Sequence, residues 1–124
     1  MTRPHLEPST DHPITVEPTG SNVEVRAGQQ ELARSNRALT LREADYPAVQ
    51  YIPLDDVDQS MLRPSDTSTY CPFKGDASYY SVVTPDGELS DAVWSYRMPY
   101  PAVAEIAGHV AFYPNKVTVT VADD

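Results

Sequence analysis

A single cysteine, Cys71, among 124 residues excludes an internal disulfide and a Cys-x-x-Cys zinc knuckle, so neither a cross-link nor a structural thiolate metal site holds the fold together. Positive charge is scarce as well. Nine Lys and Arg face 18 Asp and Glu, a formal net charge of −9, and such a chain is a poor partner for nucleic acid, which selects basic faces. No apolar run approaches the roughly 20 residues needed to cross a bilayer, and Met1 to Pro13 lacks the basic start and apolar stretch of a secretory signal. The expectation is a cytoplasmic protein with no membrane or nucleic-acid partner, no metal and no cofactor.

What is present is enough for one core. A chain of this length buries roughly two-thirds of the surface its unfolded form exposes, which predicts a single domain over residues 14–124. Residues 1–13 carry three prolines and no apolar periodicity, so they read as a disordered or extended tail with His5 and His12 solvated. From Ile14 onward the spacing is that of a meander. Val23 and Val25 alternate with polar residues, Ala27-Gly28 makes a turn, and further short strands are expected over Gln29–Ala33, Ala38–Leu41 and Val49–Ile52.

Two short helices are predicted. Leu54, Val57, Met61 and Leu62 share one helical face over Asp55–Arg63, with Asp55 as cap, Asp58 at the positive end of the dipole and Pro64 as stop. Capping thus accounts for the acidic trio Asp55, Asp56 and Asp58 without a bound cation. A second helix over Val103–Ala107 is closed by Gly108. Between them, Ser78–Val83, the turn Pro85-Asp86-Gly87 and Ala92–Tyr96 form a β-hairpin in which Ala92, Trp94 and Tyr96 share a face. The facing strand contributes either Ser78, Tyr80 and Val82 or Tyr79, Ser81 and Val83. A last hairpin joins Val110–Tyr113 to Val117, Val119 and Val121 through Pro114-Asn115. The fold class is β-dominated α+β, with one or two small antiparallel sheets.

The most distinctive stretch is Thr69-Tyr70-Cys71-Pro72-Phe73-Lys74-Gly75, a bend that holds the cysteine and opens the aromatic-rich part of the chain. With Asp45-Tyr46-Pro47, Tyr51-Ile52-Pro53, Leu62 to Asp66, Ala77-Ser78-Tyr79-Tyr80, Val93-Trp94-Ser95-Tyr96 and Gly108-His109-Val110-Ala111-Phe112-Tyr113-Pro114, it resembles the domain of unknown function 427 family. The resemblance spans Leu41 to Val117. It implies a small single-domain protein of the β-tent type, in which two small sheets meet at an angle, and no established activity. Zinc, held by paired cysteine knuckles in some relatives of that fold, is not implied for a chain with one cysteine. The nucleotidyltransferase label sometimes attached to the family finds no support either, because the Gly-Ser followed by spaced aspartates typical of that chemistry is missing.

Three function classes follow. A small-molecule binding or sensing module would use Trp94, Tyr80, Tyr96 and Tyr113 as a stacking wall, with polarity from Lys74, Cys71 and His109. A group-transfer or hydrolytic enzyme would use Cys71 as nucleophile, His109 as base and Lys74 as electrostatic stabiliser. An interaction module without a ligand would use exposed strand edges, which could also pair two copies, so the chain is expected as a monomer or homodimer. Each residue has a plainer reading too: Cys71 as a small core group, Lys74 in an ion pair with Asp76 or another acid, and Trp94 in the core.

Overall fold

In β2 (Val23–Ala27) Val23, Val25 and Ala27 are buried, while Glu24 and Arg26 between them are only half-buried, so strict alternation sets the strand's faces. The structure, a computed structural model, describes residues 4–122; the first three residues of the expected tail and the last two of the expected domain lie outside it. Among the described residues there are ten strands. The others are β1 (Ile14–Pro18), β3 (Gln30–Ser35), β4 (Leu39–Glu43), β5 (Val49–Pro53), β6 (Leu62–Cys71), β7 (Gly75–Thr84), β8 (Gly87–Ser95), β9 (His109–Phe112) and β10 (Thr118–Val121). They form a seven-stranded sheet in the order β1-β4-β5-β9-β8-β7-β6 and a three-stranded sheet in the order β10-β2-β3. Every pairing is antiparallel.

The larger sheet is apolar on both faces. One face joins the small sheet in a core of Val23, Val25, Leu32, Ile52, Val82, Val93, Val110 and Phe112. The other carries a second cluster, Leu41, Tyr51, Ala77, Tyr96 and Ala111, covered by Val103 and Ile106. No helix among the described residues is long and apolar enough to cross a membrane.

Neither predicted helix forms. Asp55–Arg63 breaks into two 3-10 turns, Leu54–Asp56 and Gln59–Met61, followed directly by β6. The interruption has a partner: Val57 is buried and bridges Ala33 of β3, while the Asp58 N–H donates to the Leu32 carbonyl at 2.7 Å. A segment this short cannot hold a helix by itself against such competition. Asp58, not Asp55, supplies the cap, accepting from the Ser60 N–H at 3.2 Å. Asp56 instead binds Arg37 and the Ser35 hydroxyl. The segment over Val103–Ala107 lies in 3-10 turns, Pro101–Ile106, broken at Val103 (φ −128°, ψ 31°).

Two strand expectations also change. β9 and β10 do not form a hairpin with each other: β9 lies between β5 and β8, and β10 pairs with β2 in the other sheet. The crossing is made by a turn in which the N–H groups of Lys116 and Val117 both donate to the Tyr113 carbonyl. In the β7–β8 hairpin Trp94 stands opposite Tyr79, and Tyr80 opposite Val93, so the facing set is the one containing Tyr79. Ala92 leaves the Trp94 face and packs in the first core, because the register shifts between Tyr80 and Val82, where Asp91 takes φ +50°.

Candidate functional site

Cys71 and Gly75 face each other across the hairpin joining β6 to β7, and Pro72-Phe73-Lys74 is its loop. The loop closes with the Lys74 N–H donating to the Cys71 carbonyl at 3.2 Å, and Gly75 then turns the chain at φ +109°, a conformation side chains rarely adopt. The Lys74 carbonyl accepts from the Tyr100 N–H at 3.0 Å. Held on both sides, Lys74 turns inward and keeps only 9 % of its surface exposed.

Its ammonium forms an ion pair with Glu43, the last residue of β4. The other Glu43 oxygen lies 2.7 Å from His12 Nε2, and the His12 ring stacks on Phe73 with centroids 4.0 Å apart. His12, expected to be solvated, is thus half-buried on the signature loop. Burial pushes the Glu43 carboxyl up, but the hydrogen bonds from Lys74 and His12 outweigh it and hold the group below its ordinary value.

Beside this pair the second-cluster face of the large sheet forms an aromatic wall. Tyr51 from β5, Tyr79 from β7 and Trp94 from β8 meet Tyr96 and Tyr113 around a cavity of about 240 Å³ that Lys74 and Glu43 also line. The Trp94 indole N–H donates to the Tyr51 hydroxyl at 3.1 Å, with the two rings edge to face. Trp94 and Tyr113 are 4.5 Å apart between centroids and inclined at 45°. The Tyr79 hydroxyl lies 3.0 Å from Thr69 Oγ1 and 3.5 Å from the Tyr113 hydroxyl. Tyr96 is 7 % exposed, and its hydroxyl bonds to none of the described residues. Burial, reinforced by neighbouring acidic groups, raises the Tyr51 and Tyr96 phenols well above their ordinary range and pushes Tyr113 up to about 12. All three stay protonated and able to donate near neutrality.

Of the residues singled out from sequence, Lys74, Trp94, Tyr96 and Tyr113 meet in this cavity. Tyr80 and His109 line a different one, with Ser95 and Arg97. Alternation along β7 turns Tyr80 to the opposite face, where its hydroxyl accepts from Arg97 at 3.3 Å. His109 Nδ1 lies 2.9 Å from the Ala107 carbonyl. Cys71 packs half-buried against the second apolar cluster and lines neither cavity. Among the described residues, no three His, Cys, Asp or Glu side chains converge in a set that could hold a metal.

Sequence reasoning misses Glu43, Tyr51, Tyr79 and His12. Tyr79 belongs to one of the two facing sets the hairpin leaves open, and Tyr51 shares the face of Val49 as any strand residue two positions on would. Glu43 and His12 carry no local signal, because each reaches its partner across 31 residues of chain.

Residues 15–123 match the family model described as Domain of unknown function (DUF427), and no curated protein matches the chain.

Proposed function

The chain belongs to the domain of unknown function 427 family, and we propose that it is a small-molecule binding or sensing module whose ligand occupies the cavity between Lys74, Trp94 and Tyr96. One observation carries the reading: a largely buried lysine and a tyrosine whose hydroxyl has no partner among the described residues open on the same ring-lined space. A hydroxyl left without a protein partner on the wall of a concave aromatic site is a group that a ligand or ordered water completes. The β-tent arrangement belongs to this proposal, as do a cytoplasmic location and a monomeric or homodimeric state. The net charge of −9 weighs against a nucleic-acid partner.

The nucleophile reading has no comparable support. Cys71 packs with apolar side chains, and the base it would need, His109, borders a separate cavity. The interaction reading rests on strand edges alone.

The test is a broad metabolite panel read by the fluorescence of Trp94, the only tryptophan, and by thermal stability. A ligand that prefers the folded state must raise its stability. At least one compound is expected to change both signals in the wild type and neither in Lys74→Met. A panel that leaves both signals unmoved contradicts the proposal.

A further inference from the structure

The cavity is rich in hydrogen-bond donors and poor in acceptors. Lys74 carries three N–H groups and its bond to Glu43 uses one. The Tyr51 oxygen accepts from Trp94, and among the described residues neither the Tyr51 hydrogen nor the Tyr96 hydrogen has an acceptor. Among the described residues Glu43 is the one carboxylate lining the space, and both of its oxygens are engaged, by Lys74 and by His12. A ligand that accepts hydrogen bonds uses the donors left over at Lys74, Tyr51 and Tyr96.

Charge narrows the choice. Glu43 already compensates Lys74, so a second carboxylate brought in here would be desolvated without a counter-charge of its own. A cation would face the lysine ammonium. An uncharged acceptor escapes both costs. Shape narrows it again: the walls are flat rings, and about 240 Å³ corresponds at about 30 Å³ per water to roughly eight non-hydrogen atoms.

We propose that the cavity takes a planar, uncharged molecule about the size of benzamide, its carbonyl oxygen accepting from Lys74 and the Tyr51 and Tyr96 hydroxyls while its ring lies against Trp94. This rests on the reading of the cavity as a ligand site. Three probes of similar size and different charge separate the two ideas: benzamide, benzoate and benzylamine, each titrated into the full chain while the indole N–H resonance of Trp94 is followed by NMR. A single tryptophan makes that signal unambiguous.

Benzamide is expected to shift the resonance saturably and to bind at least about tenfold more tightly than either charged probe. Tyr96→Phe should weaken it about fivefold, the worth of one ordinary hydrogen bond, with an unchanged melting temperature. Tighter binding of benzoate or benzylamine overturns the carbonyl inference and leaves the ligand site standing. So does silence from all three probes when a compound of the metabolite panel moves the same resonance. If neither the probes nor the panel moves it, both fail together.

Discussion

Tyr51 and Tyr96 are both buried phenols on one wall, yet their hydroxyls stand in different positions. Tyr51→Phe would strand the Trp94 indole N–H, and leaving a buried donor unsatisfied costs about 1–3 kcal/mol. Tyr96→Phe removes a hydroxyl with no partner among the described residues, so stability measured by chemical denaturation should stay within about 0.5 kcal/mol of wild type. Equal losses in the two variants would mean the Tyr96 hydroxyl is bonded. Lys74 and Glu43 offer a second comparison. Lys74→Met leaves a largely buried carboxylate with only His12 and should cost about 3 kcal/mol, whereas adding Glu43→Leu should restore most of the loss, since removing both charges spares the orphan. At this scale the sequence discloses Lys74 and Trp94, which stand in a marked bend and an aromatic strand. It cannot disclose Glu43, an ordinary strand-end acid whose role depends on a contact made by the fold.

Among the elements, the β6–β7 hairpin holds the site together. Gly75 turns it at φ +109°, with the Met98 carbonyl 3.5 Å from where a Cβ would stand, so Gly75→Ala should destabilise by about 1–3 kcal/mol. Unchanged stability in that variant would show that the loop tolerates another conformation and does not fix Lys74. The strands that alternation revealed, β2 and β5 among them, are those with one face in a core. β6 escaped notice because its Pro64 and its run of exposed polar residues give no apolar period. The segment before it has helical spacing, but β3 captures Val57 and Asp58 and divides it into turns. The separation of β9 from β10 was likewise invisible, since a short proline turn between apolar runs looks the same whether the strands pair with each other or with different sheets.

At the scale of the whole molecule, titration of the site limits stability at both ends of the pH range. The folded Glu43 carboxyl is held below its ordinary 4.5, so its contribution is complete above about pH 4.5 and is lost as pH falls through the lower folded value. Glu43→Gln should therefore show a shallower acid decline in denaturant unfolding. At the alkaline end the raised phenols of Tyr51, Tyr96 and Tyr113 have the opposite sense. Stability is intact below about pH 10 and falls above it, because the unfolded chain releases protons that the fold retains. The phenolate absorbance of these three tyrosines should appear only above the ordinary range or on unfolding, and Tyr51→Phe and Tyr96→Phe should each remove part of that late rise. The cavity as a whole is tested most directly by the dissociation constant of the best panel ligand, from Trp94 fluorescence, in the wild type and in Tyr96→Phe. A ligand completing the cavity predicts a correctly folded variant that binds about fivefold more weakly; equal affinity in the two proteins would contradict it.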